Sequence, residues 1–378
     1  MEKISRLSLL RRQLAATTPL SPALRGGHTQ TLLGHILPSL SRQEFALSKA
    51  HTLPLSDGDK LIGHIGPGSP AGRGWLHIFH GLSGDVDSVY MPRAAVAAAQ
   101  AGFNTMLWNH RGCGAGRGLA MAPYHSGRSD DIARVIHWAK KQWPNTQHGI
   151  LGFSLSANAA CLLAAGIVPA LKTTPLNREE WSQIEGALPD FAIAVNPPFD
   201  LARASRRLSH ESSRLYGSRF VFDLLQLLND RKSMTPTTDQ QRKLQKVALH
   251  ARANLNPLSS VEEFDELYTS RAGGFENRQD YYARASSGRY LSSTSLPLVV
   301  LSADDDPITH GFADLPTDFS PSAVGSDWLV FDRQDSGGHM GYIDAMTLRG
   351  QLRAVILRPT LHPQTWFERR LAMYLEQL

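Results

Sequence analysis

Ser154 stands in Gly152-Phe153-Ser154-Leu155-Ser156, between the short apolar run His148-Gly149-Ile150-Leu151 and the helix-forming stretch from Ala157 to Ala165. A serine at the apex of a strand, a tight turn and a helix is exposed for attack on an acyl carbonyl, and the strained turn demands small neighbours two residues away. Gly152 and Ser156 are both small. A serine hydroxyl is a weak nucleophile alone and needs a base that is itself oriented by an acid. Candidates follow in that order along the chain. Leu296-Pro297-Leu298-Val299-Val300-Leu301 reads as a buried parallel strand. It runs into Ser302-Ala303-Asp304-Asp305-Asp306-Pro307-Ile308, at the strand end where an open α/β sheet presents functional groups. Trp328-Leu329-Val330-Phe331 reads as a further strand, followed by Ser336-Gly337-Gly338-His339-Met340-Gly341. A histidine in a glycine-rich loop suits a general base that serves both nucleophile and leaving group.

The expected set is therefore Ser154 as nucleophile, His339 as base and Asp306 as the orienting acid. Asp306 is preferred to Asp305 because Pro-Ile follows it, and Asp305 remains the alternative. The three acids otherwise read as a solvated loop. No second carboxylate or histidine cluster at metal-ligand spacing accompanies them, so neither a metal nor a cofactor is expected. Acyl transfer also needs two backbone N–H groups aimed at the developing oxyanion. Leu155, next to the nucleophile, is one expected donor. Leu82 is the other, in the loop His80-Gly81-Leu82-Ser83-Gly84 after the strand Gly74-Trp75-Leu76-His77-Ile78-Phe79. His80 is read as bracing that loop.

The elements that must position these groups alternate in type. Residues 51–55 and 61–65 form an opening hairpin around Ser56-Asp57-Gly58-Asp59. The strand at 74–79 follows, then an alanine-rich helix over 92–101 and a strand over 103–108. A helix over 129–141 takes Ser129 as N-cap and Asp130 and Asp131 in its first turn. Phe191-Ala192-Ile193-Ala194-Val195 is another buried strand. This βαβα order predicts an α/β fold, a mostly parallel twisted sheet with helices on both faces. Two stretches break the rhythm: a polar excursion over 167–189, and a mostly helical insertion over 199–292 that reads as a lid supplying an apolar acyl wall. Phe275, Tyr281 and Tyr282 are read as core anchors of that insertion before pocket lining. The expected organisation is an N-terminal arm over 1–45, a core over 46–198 and 293–378, and the lid over 199–292.

Composition excludes several classes. Of 378 residues, 42% are hydrophobic and 19% charged, ordinary for a globular chain. Two cysteines, Cys113 and Cys161, make no disulfide framework and read as reduced, buried and intracellular. No apolar window spans a membrane, and the basic N-terminus has no signal-type apolar run, so a cytoplasmic protein is expected. Its N-terminal arm is amphipathic, suited to packing on the body or touching lipid. The net charge of +5 is too small to argue for nucleic acid, and no aromatics interleave with the basic residues. Residues 203–252 carry eleven Lys/Arg against four Asp/Glu. That surplus reads as solvated helix faces, with peripheral contact to an anionic membrane surface as the alternative.

Several motifs together resemble the YheT-like family of α/β-hydrolases, relatives of animal α/β-hydrolase-domain lipases and yeast ethanol acyltransferase/esterases. They are Arg25-Gly26-Gly27-His28-Thr29-Gln30-Thr31, His80-Gly81-Leu82-Ser83-Gly84, Asn109-His110-Arg111-Gly112-Cys113-Gly114 and Tyr124-His125-Ser126-Gly127-Arg128-Ser129-Asp130-Asp131. Gly152-Phe153-Ser154-Leu155, Glu263-Phe264-Asp265-Glu266-Leu267-Tyr268-Thr269, Gly274-Phe275, Asp280-Tyr281-Tyr282, Asp305-Asp306-Pro307 and Gly337-Gly338-His339 complete the set. The chain departs from the family in having Ser156-Ala157 where two glycines usually follow Ser-Leu. The resemblance implies a serine hydrolase with Ser154, Asp306 and His339 acting on a small-molecule acyl ester, lipid-like or of medium chain length. An alcohol O-acyltransferase using the same acyl-serine, or a non-catalytic acyl-ligand-binding protein, are the rival readings.

Overall fold

The computed structural model describes residues 2–36, 47–48, 50–69, 72–169, 188–210, 212–317, 319, 327–349 and 364–378. Its strands are β1 (His51–Pro54), β2 (Lys60–Ile65), β3 (Gly74–Phe79), β4 (Phe103–Asn109), β5 (Gln147–Phe153), β6 (Phe191–Val195), β7 (Leu298–Ala303) and β8 (Leu329–Gln334). They form one sheet in the order β1-β2-β4-β3-β5-β6-β7-β8. Only β1 and β2 run antiparallel to their neighbours; β4, β3, β5, β6, β7 and β8 are mutually parallel. The mostly parallel α/β sheet expected from the sequence is thus what forms.

Alternation along the central strands feeds two apolar layers. Leu76, Ile78, Leu151 and Phe153 face one layer, which α1 (Glu2–Ala16), α3 (Tyr90–Gln100) and the C-terminal helix Trp366–Gln377 cover with Leu7, Leu10, Ala94 and Leu371. Trp75, Phe79 and Ile150 face the other, under α4 (Ser129–Gln142) and α5 (Leu155–Ala164). The N-terminal arm therefore packs on the body through α1. Among the described residues no helix is long and apolar enough to cross a membrane. Both cysteines are free and buried, and burial pushes the Cys113 thiol up to about 12, out of the reactive range.

Three expectations need correction or limits. Ser129 does not cap α4: it is already helical, Arg128 holds the cap position without a side-chain cap bond, and the Ser129 hydroxyl donates to Ile167 O at 2.8 Å. Asp130 and Asp131 do lie in the first turn, but their partners are Arg111, Arg128 and Arg134 in a buried ionic cluster rather than helix N–H groups alone. The excursion over 167–189 falls mostly outside the described residues.

Between β6 and β7 the described chain is helical: Leu201–His210, Arg214–Ser233, Asp239–Asn254 and Arg278–Ala285, with a short turn Val261–Phe264 running into a π-helical turn Asp265–Thr269. These helices have their own apolar cluster, which includes Leu208, Val221, Leu224, Leu228 and Phe264 and also holds Leu155 beside the elbow.

One buried polar string sets an acid limit. Trp108 Nε1–H donates to His77 Nδ1 and the other nitrogen of His77 meets His148 Nδ1, both at 3.2 Å. Burial, then the neighbouring His148, pushes the His77 pKa down to about 3, and burial takes His110 down to about 4. The unfolded chain protonates such groups near pH ~6.5. The folded state refuses those protons, so the stabilisation is complete above that pH and is lost as pH falls, at roughly 1.4 kcal/mol per pH unit for each histidine. Asp265, raised by burial to about 6, works in the opposite direction but only below that value. The melting temperature is expected to drop by several degrees between pH 7 and 5; a flat or rising Tm over that interval rejects the assignment.

Candidate active site

β5 ends at Phe153 and α5 begins at Leu155, leaving Ser154 alone on the turn with φ 51° and ψ −112°. A non-glycine residue there is strained by about 1–3 kcal/mol, a cost held by the surrounding structure. Gly152 has to be glycine, because a Cβ would lie 2.4 Å from the Ser156 carbonyl oxygen. Ser156, where glycine is usual, uses its hydroxyl: it donates to His80 O at 2.5 Å and lies 2.6 Å from His110 Nε2. The side chain that departs from the family pattern therefore ties α5 to the loop after β3.

The structure brings Ser154, His339 and Asp306 together. His339 Nε2 lies 2.9 Å from Ser154 Oγ, and His339 Nδ1 lies 2.8 Å from Asp306 Oδ2. Asp306 also accepts from Asn196 Nδ2 and Thr309 Oγ1 on Oδ2, and from the backbone N–H groups of Ile308 and Thr309 on Oδ1. Burial opposes its ionisation, yet the His339 charge and these hydrogen bonds hold the carboxyl down at about 2. Of the neighbouring acids, Asp305 accepts from Gly338 N and Ser336 Oγ at 2.8 Å each, fastening the histidine loop, and Asp304 pairs with Arg333 at the surface.

Leu82 and Leu155 both border the same cavity as Ser154. On either side of Leu82 the loop N–H groups are occupied: Gly81 N donates to Tyr90 Oη at 3.0 Å and Ser83 N to Tyr124 Oη at 2.9 Å. Neither the Leu82 nor the Leu155 N–H has an acceptor among the described residues. His80 is fully buried, donates from Nδ1 to Gly81 O and accepts from His110 N–H, which braces this loop.

The N-terminal motif has a place too. In α2 (Gly27–Ile36), Gln30 is fully buried, donates to Leu24 O and Ile343 O, and accepts from Ile343 N. Thr31 Oγ1 accepts from the His339 backbone N–H at 2.8 Å. Gly27 lies so close to the acid loop that a Cβ would fall 1.6 Å from Asp305 O. His28 reaches the other way and stacks on Tyr216 of the inserted helices. Sequence reasoning missed Thr31, Thr309 and Asn196 as positioning groups. Thr31 lay in the Arg25–Thr31 motif without an assigned role, and Asn196 carried a signal as a polar residue directly after the buried strand β6, where an open sheet presents its functional groups.

The cavity lies between the elbow and the inserted helices and is partly open to solvent. Leu208, Phe220, Leu224, Leu227, Val261 and Phe264 give it an apolar wall. Tyr281 and Tyr282 are buried and also line it, whereas Phe275 packs behind without reaching it. A second cleft also reaches Ser154 and His339, bordered by Thr31, Gly81, Asp85, Tyr216 and Arg219, and shares Leu82, Phe220 and Ile308 with the first. Among the described residues no group of His, Cys, Asp and Glu is arranged to hold a metal.

The family model described as alpha/beta hydrolase fold matches residues 74–344. YheT of Escherichia coli, which carries the name of an esterase, is 28% identical over 356 residues, covering 92% of this chain and 89% of that one. A monoacylglycerol lipase of Saccharomyces cerevisiae is 28% identical over 273 residues, 71% of this chain and 54% of its own. The medium-chain fatty acid ethyl ester synthase/esterase 2 of the same yeast is 24% identical over 280 residues, 71% of this chain and 57% of its own. The chain thus spans little more than half the length of these two yeast relatives.

Proposed function

The chain belongs to the α/β-hydrolase fold family, and from that premise we propose that it is a serine hydrolase of carboxylic esters working through an acyl-serine intermediate. The observation that carries this is the unbroken chain Ser154 Oγ, His339 Nε2, His339 Nδ1, Asp306 Oδ2 at the mouth of an apolar cavity. Ser154 Oγ attacks the ester carbonyl as His339 Nε2 takes its proton, and Asp306 holds the imidazole in the required tautomer and stabilises the imidazolium. The oxyanion receives the N–H groups of Leu82 and Leu155. Collapse expels the alcohol, which takes the proton back from His339. Water then attacks the acyl-serine with His339 again as base, and collapse releases the acid as Ser154 Oγ takes the proton back from His339. The apolar wall favours medium-chain or lipid-like acyl groups.

Fluorophosphonate labelling tests the reading. Wild type is expected to be labelled at Ser154 and to show a chain-length optimum across p-nitrophenyl esters. A well-folded protein that neither labels nor turns over esters would instead be a non-catalytic acyl-ligand binder. A second cleft at Ser154 can hold the alcohol of the ester, departing in hydrolysis or attacking in acyl transfer; ester product formed in the presence of added alcohol distinguishes the two.

Thr31 is a positioning residue in this scheme. Thr31→Val removes the acceptor of the His339 N–H and is expected to lower kcat about 5- to 10-fold, the worth of one hydrogen bond. KM should stay unchanged and Thr31→Ser should restore the rate. An equal change in KM, or no rescue by serine, counts against positioning.

A further inference from the structure

The loop that carries Asp306 is gripped from outside by the inserted helices. Asp306 Oδ1 accepts two backbone N–H groups, from Ile308 at 2.8 Å and from Thr309 at 3.0 Å. Each belongs to a peptide unit whose carbonyl oxygen is taken by a side chain of the insertion. Ser213 Oγ donates to Pro307 O at 2.7 Å, and that oxygen shares a plane with the Ile308 N–H. Arg207 Nη1 donates to Ile308 O at 3.1 Å, and that oxygen shares a plane with the Thr309 N–H. In a trans peptide the C=O and N–H point in opposite directions, so a partner fixed on the oxygen fixes the aim of the hydrogen.

The two grips are themselves held in place. Ser213 is fully buried, between the helices Leu201–His210 and Arg214–Ser233. Arg207 is buried too, and its guanidinium is forked onto Asp314, Nη1 to Oδ2 and Nη2 to Oδ1 at 2.6 Å each. One side chain thus staples Ile308 to Asp314 across the turn between them. The turn needs such support: His310 lies within it at φ 47° and ψ 18°, a left-handed conformation that a residue other than glycine keeps only where its surroundings over-determine it. Neither Arg207 nor Ser213 borders the cavity or the second cleft, so neither meets the substrate.

We propose that Arg207 and Ser213 are positioning residues for the triad acid, acting through two peptide planes on Asp306 Oδ1, and that the triad is complete only while the inserted helices are seated. The proposal rests on the hydrolase reading for its effect on rate, though not for its geometry. Lifting the helices releases both carbonyls, so a displaced insertion loosens the carboxylate and a seated one aims it at His339. The insertion therefore does more than wall the cavity: it sets the orientation of the acid that orients the base.

Kinetics and proton NMR test this together. Ser213→Ala is expected to lower kcat about 5- to 10-fold, and Arg207→Lys, which gives up the fork for a single ammonium, roughly 10- to 100-fold. KM should stay nearly unchanged in both, because neither side chain touches the substrate. Asp306 is ionised, so the proton between it and His339 sits on Nδ1 and gives a far-downfield resonance, identified by its loss in Asp306→Ala. That resonance should move upfield or broaden in Ser213→Ala and Arg207→Lys. Arg231→Lys is the control for loosening of the insertion alone, since Arg231 ties the same helices to Met121 O and Ala122 O instead; it should lower the melting temperature and leave the resonance in place. Ser213→Ala decides alone if Arg207→Lys does not fold. A resonance unmoved in Ser213→Ala, or disturbed as much in Arg231→Lys, overturns the proposal. The expected shifts in a protein that neither labels with fluorophosphonate nor turns over esters would uphold it while removing the hydrolase reading.

Discussion

Ser154→Ala is expected to lower kcat by at least ~10⁴-fold, because nucleophile, base and acid act as a unit and the loss of one removes the whole pathway. At 1.36 kcal/mol per factor of ten, that is roughly 5.4 kcal/mol of barrier. The geometry argues for a loss of this size. Ser154 holds the one position from which a hydroxyl reaches His339 Nε2 while bordering the cavity beside the Leu82 and Leu155 N–H groups. Among the described residues, Ser156 is committed to His80 and His110, and the Ser83 hydroxyl lies against Phe220 O. Alanine removes only the hydroxyl, and strain on the turn is not increased, so the melting temperature should hold or rise. Steady-state kinetics with a short p-nitrophenyl ester, beside a thermal melt, reads both. A loss below tenfold in a folded variant would take Ser154 out of the mechanism.

Legibility followed the range of the interactions. The elbow was readable because its strand, small flanking residues and helix lie within one contiguous stretch, and Gly152 is demanded by atoms only four and five residues away. The placement of Asp306 and His339 was readable because strands β7 and β8 deliver them from their C-terminal ends. The choice between Asp305 and Asp306 needed coordinates: adjacent carboxylates point to opposite duties, one to the Gly338 backbone and one to the imidazole. Thr31 was invisible as a support of His339, since the two are joined only when α2 folds beneath the histidine loop. Ser129 misled for the complementary reason. Its type and place suit a cap, but its hydroxyl finds Ile167, and, beside Arg134 one turn on, the first turn is committed to Arg111, which no local pattern announces.

Those arginines carry the largest expected effect on stability. Arg111 is fully buried; its Nε and Nη2 donate to Asp131 at 2.7 and 2.8 Å, and its Nη1 to Asp57 and Asp59 at 2.6 and 2.8 Å. Burial alone would drive its charge off, and the carboxylates reverse this, raising its pKa well above the ordinary value. Removing one partner of a buried ionic cluster leaves the others uncompensated, which costs about 3–5 kcal/mol even where the intact cluster is worth little against an apolar replacement. Arg111→Met should therefore lose stability by that amount in urea unfolding. Arg111→Lys should rescue little, because an ammonium cannot supply the forked donors that reach three carboxylates. The consequence extends to the cavity. Asp59 also accepts from the N–H groups of Met121 and Ala122 and so anchors the segment leading into Tyr124 and His125. Tyr124 in turn holds Ser83 N next to Leu82. A variant that stays folded at low temperature should therefore show reduced kcat as well as reduced stability, although Arg111 touches neither Ser154 nor the cavity. Unchanged unfolding in urea would mean that the three carboxylates tolerate one another without their shared cation, and the cluster would lose its structural role.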